Sequence, residues 1–148
     1  MLAIVRADSV NFPLFVHVAG SMLLVGTLIA AVAALVLARS DGGGLQRLSF
    51  RTMLWGAIPT FIVMRGGAEW VKSEEHAPDD ATWIGIGYGV SDLGLLLLIV
   101  ATVLAGLTLR RANRGGRPGA LAGVSAAIVS LMLLGYGIAI WAMTTKPD

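Results

Sequence analysis

Cysteine is absent from the 148 residues, which removes disulfides, thiolate metal ligands and thiol catalysis from consideration. Charge is scarce as well. Asp, Glu, Lys and Arg make up 14% of the chain, against roughly a quarter in an ordinary soluble domain. The few cations lie beside apolar runs rather than on one basic face, so the net charge of +2 gives nucleic acid no footprint. The first apolar run, Phe12 to Ala38, is too long for the core of a secretory leader and lacks a basic lead-in with a cleavage site, so no cleavable signal peptide is expected. Histidine occurs only twice, and the scattered serines have no histidine paired with them that would support a hydrolytic triad.

What is abundant is apolar sequence. Hydrophobic residues form 56% of the chain and the mean hydropathy is +0.79. A domain this small leaves much of its surface exposed and has no interior large enough to hide such a surplus. The apolar residues also fall into long runs, and about 20 in a row cross the hydrocarbon core as one helix. Backbone polar groups need internal partners in lipid, which favours helices over open strands. The pattern predicts an all-α polytopic membrane protein forming one domain, a bundle of four transmembrane helices, with spans at about 12–38, 48–71, 83–109 and 120–143. Ser40 to Gly44 and Gly115 to Gly119 read as breakers between them.

Basic residues in short loops set the orientation. The first loop region holds Arg39, Arg47 and Arg51, and the third holds Arg110, Arg111, Arg114 and Arg117. The second sets Lys72 against Glu74, Glu75, Asp79 and Asp80. Loops one and three are therefore expected in the cytoplasm of a bacterial cell, with both termini and the acidic loop outside the plasma membrane. Trp70, Trp83 and Trp141 all fall at the expected outer ends, where amphipathic rings prefer to sit. Two stripes of mostly small residues suit close helix packing in lipid. One is His17, Gly20, Leu24, Thr27, Ala31 and Ala34. The other is Gly123, Ala127, Ser130, Leu134, Gly137 and Trp141. Pro59 should kink the second helix by removing one hydrogen bond and crowding the carbonyl of Trp55.

Ionisable residues inside a span are costly and ask for a reason. At a rise of about 1.5 Å per residue, His17, Arg65, Glu69, Tyr88, Asp92 and Tyr136 all fall in one outer-leaflet layer, though they come from four helices. Arg65 and Glu69 are four apart, as are Tyr88 and Asp92, so each pair shares a helix face. If the faces turn inward, Asp92 faces the bundle interior and pairs with Arg65. Glu69 and His17 are then left beside a small, partly wetted cavity. Gly66, Gly67, Gly85, Gly87 and Gly89 flank the layer and leave room for close approach or a ligand.

Each member also has a plainer explanation. Arg65 and Glu69 are placed to snorkel to headgroups, a buried ion pair serves helix registration as well as chemistry, and His17 is placed to bond a neighbouring helix. Tyr88 and Tyr136 suit interfacial anchoring. The segment Gly85-Ile-Gly87-Tyr-Gly89 is not a dinucleotide fingerprint, because no strand precedes it. Glu74, Glu75, His76, Asp79 and Asp80 offer hard oxygens and an imidazole to a divalent cation, or simply form a solvated loop. His17 and His76 are the two candidate metal ligands.

The stretch His17-Val-Ala-Gly20-Ser-Met-Leu-Leu-Val-Gly26 resembles the opening helix of small bacterial membrane families related to the copper-resistance CopD proteins. That resemblance covers one helix of four. It implies a bundle with an outward-side histidine that binds metal or haem, and only His17 carries over.

Three functions compete on these residues. The preferred one is a binding or accessory role, in which the outer layer holds a small ligand, an ion or a partner subunit; no complete catalytic set is present. The second is a redox protein with haem b ligated by His17, with Met22, Met64 or a second subunit as the other axial ligand. The third is proton or cation coupling through Asp92, Glu69 and His17. The inner halves offer only Thr27, Thr52, Thr102 and Ser130 to that path, so it would need a homo-oligomer. The expected partners are the lipid bilayer and a homo-oligomer or larger membrane complex.

Overall fold

The computed structural model describes residues 8–38, 43–75, 82–116 and 119–145. Arg39, His76, Asp79, Asp80 and Arg117 lie outside the described residues, and so does the acidic-loop cation site apart from Glu74 and Glu75. The described residues are helical almost throughout and include no strand: α1 (Asp8–Leu37), α2 (Gly44–Thr52), a π-helical turn (Met53–Ala57), α3 (Ile58–Glu75), α4 (Thr82–Asn113) and α5 (Gly119–Thr145). The segments α2, the π-turn and α3 run on without a break, so the chain forms four rods. Each is about 40–48 Å long at 1.5 Å per residue.

Three helices, α1, α4 and α5, are long and apolar enough to cross a membrane. The fourth rod does not stand out in the same way. It carries Arg47 and Arg51 in α2 and Arg65, Glu69, Lys72, Glu74 and Glu75 in α3, and the π-turn divides it. The outside of the bundle is apolar. Phe15, Met22, Trp55, Ile62, Leu96, Leu134 and Ile138 are all exposed, and an apolar surface this extensive marks contact with lipid or protein.

The π-turn answers Pro59. Proline has no N–H to give the Trp55 carbonyl, and its ring crowds that position. The chain inserts one wide turn just before it, with the Ile58 N–H bonded to the Met53 carbonyl five residues back. A kink is the sequence expectation; what accompanies Pro59 is a local widening of the helix by one π-turn.

The rods pair as α1 against the α2–α3 rod and α4 against α5. The pairs join through α1 on α5 and α2 on α4. Glycine sets the tightest crossing. A Cβ on Gly20 would sit 2.7 Å from the Met64 nitrogen, and one on Gly67 would sit 2.6 Å from the His17 nitrogen, so the α1 and α3 backbones touch at both points. Leu24, Leu28, Phe61, Leu98, Val129 and Met132 fill the centre. At the end carrying the breakers, side chains tie helices to carbonyls. Gln46 Nε2 donates to the Ala38 carbonyl at 3.1 Å, Ser49 Oγ to Ala31 at 3.3 Å and Ser125 Oγ to Ala101 at 3.0 Å.

The α1 stripe is placed as its spacing predicts, with Gly20, Leu24, Ala31 and Ala34 buried and His17 and Thr27 half-buried. The α5 stripe is not. Ala127, Leu134, Gly137 and Trp141 are exposed along with Ser130, and the buried line runs through Ala122, Ser125, Ala126, Val129, Met132, Tyr136 and Ala139. Both lines are small and apolar, and lipid is as apolar as a core. Spacing alone therefore does not tell them apart.

Candidate functional site

α3 and α4 barely touch. At the end where α3 stops and α4 begins, hereafter the acidic-loop end, the gap between them is bridged by polar side chains. Arg65, Glu69 and Lys72 follow one another at i, i+4 and i+7 on the α3 face, opposite Tyr88 and Asp92 at i and i+4 on α4. Arg65 Nη2 lies 3.2 Å from Glu69 Oε1 and 3.4 Å from Asp92 Oδ1, so one nitrogen serves two carboxylates. The Tyr88 hydroxyl donates to Glu69 Oε2 at 2.7 Å. The Arg65 guanidinium lies 4.1 Å from the Tyr88 ring centre and the Lys72 ammonium 5.1 Å, within the range of cation–π attraction. Two cations and two carboxylates thus balance across a latch between two otherwise separate helices.

The Arg65–Asp92 pair is present, but Asp92 does not face the interior. Its side chain is 71% exposed, against 27% for Arg65. Ser91, its neighbour, takes the inward position, because the buried line of α4 runs Ile84, Gly87, Ser91, Gly94, Leu98 and Ala101. Asp92 sits one residue off that line, at the edge facing α3. The small residues Gly87, Ser91 and Gly94 at steps of four and three are the sequence signal that would have located the inward face.

Behind the latch lie two adjoining cavities. The larger, about 160 Å³, is lined by residues including Leu14, His17, Lys72, Trp83 and Tyr88. The smaller, about 80 Å³, is lined by His17, Met64, Arg65, Ser91 and Tyr136 among others. His17, Tyr88 and Met143 border both. All six predicted residues are therefore at one end of the bundle, in two groups. Arg65, Glu69, Tyr88 and Asp92 form the latch, while His17 and Tyr136 belong to the cavity wall, which Arg65 and Tyr88 also border.

The hydrogen bonding of the wall is incomplete. His17 Nδ1 lies 3.0 Å from the Met64 carbonyl. A carbonyl only accepts, so Nδ1 carries a proton, and in the neutral ring Nε2 keeps its lone pair. Ser91 and Tyr136 are 6% and 7% exposed, and neither hydroxyl has a partner. This is unusual within the molecule. Ser21, Thr102, Thr108 and Ser130 each donate to a carbonyl four residues back, the ordinary solution for a helical hydroxyl. Sequence reading overlooked Ser91, and it placed Tyr136 at the right depth without its orientation. The Tyr136 hydroxyl packs against Gly94, 2.8 Å from where a Cβ would stand.

Toward the other end the cavity closes. Leu24, which borders the smaller cavity, belongs to the same apolar core as Phe61, Leu98 and Met132. The polar side chains further along, Ser49, Thr108 and Ser125, are bonded to helix carbonyls, and Ser130 points outward. For haem, Met22 is 71% exposed and turned away from His17, whereas Met64 shares the smaller cavity with it. Neither space approaches the roughly 300–1,000 Å³ of drug-sized ligand sites. Among the described residues no three of His, Asp and Glu gather to hold a metal ion.

Comparison with protein-family models, curated proteins and solved structures returns no match.

Proposed function

We propose that the chain is a four-span protein of a bacterial plasma membrane, with the acidic loop outside and loops one and three in the cytoplasm, that binds a small ligand in the cavity behind the Arg65–Asp92 latch. The supporting observation is the pair of buried hydroxyls, Ser91 and Tyr136, left without partners beside a cavity. A buried polar group without a partner costs about 1–3 kcal/mol, and such costs are kept where function needs them. Mostly apolar walls with a few convergent polar groups are the usual make-up of a ligand site. The latch gives the site a side wall made of side chains rather than helix packing, an arrangement suited to admitting a ligand from the bilayer.

Native mass spectrometry of the protein released from mild detergent tests this reading. The wild type should carry a small molecule that the Ser91→Ala/Tyr136→Phe double variant lacks. Equal spectra for the two proteins would count against it.

A second reading has one observation in its favour. His17, whose Nδ1 is engaged by the Met64 carbonyl, and Met64 border the same cavity, as a haem b with His/Met ligation would require once α3 and α4 part. An absorbance spectrum with a Soret band that disappears in His17→Ala would put this reading first.

A further inference from the structure

We infer that the lipid-facing gap between α3 and α4 is a docking groove for one transmembrane helix of a different protein, a helix with a Lys or Arg at the depth of Asp92. The inference rests on the four-span reading and not on a ligand in the cavity. It starts from the outer side of the latch. α3 and α4 barely touch, and each presents outward a stripe of small residues interrupted by an acid. Gly66, Glu69 and Ser73 are exposed on α3, and Gly85, Gly89 and Asp92 on α4, all at helical steps of three and four. Each stripe passes through a carboxylate of the latch, so the two stripes run along the two lips of the gap. The contacts of Arg65 with Asp92 and of Tyr88 with Glu69 set an antiparallel register. In that register Gly66 stands about level with Asp92, Glu69 with Gly89, and Ser73 with Gly85. Each acid therefore has a small residue across the gap. A Cβ on Gly66, Gly85 or Gly89 would meet nothing within 4 Å, so these glycines serve no packing inside the bundle. Small residues are what lets one helix backbone approach another in lipid.

Charge names the occupant. Trp83 and Arg110 bracket the apolar run of α4, and Asp92 lies about 7 Å from its middle at 1.5 Å per residue. A hydrocarbon core about 30 Å thick keeps that carboxylate inside the apolar layer, on a side chain too short to reach the headgroups. Arg65 answers from the inner side only. One of its nitrogens serves both acids, and it is 27% exposed against 49% for Glu69 and 71% for Asp92. The outer sides of both carboxylates are left to whatever fills the groove. Hydrocarbon has no donor for them, which is costly, whereas a Lys or Arg on a neighbouring helix supplies one. A second copy of the chain does not. Among the described residues, the exposed basic side chains, Arg47, Arg51, Arg110, Arg111 and Arg114, all lie at the opposite end of the rods. Two copies in one orientation would bring acid against acid.

Model helices in phosphatidylcholine vesicles test the groove. Each is a single span of about 20 Leu and Ala residues with Lys, Leu or Glu at the depth of Asp92, and energy transfer reports its association with the protein labelled at Arg47→Cys. The Lys helix should associate saturably. The Leu and Glu helices should bind at least about tenfold more weakly, as should the Lys helix to Asp92→Asn, for want of one charge pair. Gly66→Leu/Gly89→Leu should abolish binding of the Lys helix. A Cβ at either position stands in open space, so this variant should keep the wild-type Tm, and its loss of binding is not loss of fold. Equal binding of the Leu and Lys helices would overturn the basic partner. Binding unchanged in Gly66→Leu/Gly89→Leu would put the helix elsewhere on the bundle and overturn the groove. No binding by any helix would leave the groove to lipid and overturn the inference. Energy transfer between copies of the protein itself, removed by the same variant, would make the occupant a second copy and overturn it too. Maleimide labelling of Arg47→Cys and Ser73→Cys reads the four-span arrangement separately, so its failure is distinguishable from each of these results.

Discussion

Gly66 and Gly67 are neighbours on α3, yet alanine should act on them with opposite sign. At Gly67 the new methyl would stand 2.6 Å from the His17 nitrogen and 2.8 Å from its Cα. Both are backbone atoms, so no side-chain rotation relieves the contact, and α1 must move from α3 by roughly 1 Å to restore van der Waals distance. Overpacking of that kind costs about 1–3 kcal/mol, while the helix preference of alanine over glycine returns at most about 1 kcal/mol. At Gly66 nothing lies within 4 Å of where the methyl would stand, and only the helix preference acts. The two variants should therefore differ by about 2 kcal/mol, roughly thirtyfold in the folding equilibrium, with Gly67→Ala the less stable. Reversible unfolding in mixed micelles of mild detergent and SDS, followed by circular dichroism, measures the difference. Equal stability, or a less stable Gly66→Ala, would mean that α3 does not present the Gly67 face to His17.

The same contacts set three further outcomes. Tyr136→Phe removes a buried hydroxyl that has no partner, so the ligand-free protein should gain on the order of 1 kcal/mol in the same unfolding assay. Arg65→Ala and Asp92→Asn should each destabilise the bundle, and their double-mutant cycle should show a positive coupling. With Asp92 mostly exposed, that coupling should be about 0.2–1 kcal/mol and should shrink in high salt; strict additivity would remove the pair as an energetic unit. Ser125→Ala breaks a buried bond to the Ala101 carbonyl and should cost about 0.6 kcal/mol, the usual worth of such a bond between membrane helices.

How far the sequence can be read depends on how much a residue differs from lipid. Charged and bulky polar side chains are legible. Arg65, Glu69, Tyr88 and Asp92 at four-residue spacing predict the Arg65–Asp92 pair; the bond from Tyr88 to Glu69 is not among the expected ones, and Glu69, expected beside the cavity with His17, borders neither cavity. The α1 face is legible because His17 and Gly20 break an otherwise uniform helix. On α5 nothing does so, and the stripe from Gly123 to Trp141 is as small as the buried one beside it. The same degeneracy hides the inward turn of Ser91 and moves Asp92 one position from where its charge alone would put it. Pro59 announces a disturbance, but whether the helix bends or widens is decided by how the turn before it finds partners for its carbonyls. Gln46 lies ahead of the expected second span, so its bond to the end of α1 leaves no periodic trace.

The ligand site exists within a membrane only if the rod from Gly44 to Glu75 crosses it, although this rod carries the charges. Arg47 and Ser73 are exposed near its two ends, about 40 Å apart along the helix, more than the roughly 30 Å hydrocarbon core. Because the chain has no cysteine, Arg47→Cys and Ser73→Cys each carry one thiol for a membrane-impermeant maleimide. Ser73→Cys should label in intact cells, and Arg47→Cys only after the membrane is opened. Labelling of both from the same side would place the rod on one face of the membrane and contradict a four-span bundle with a polar site inside it.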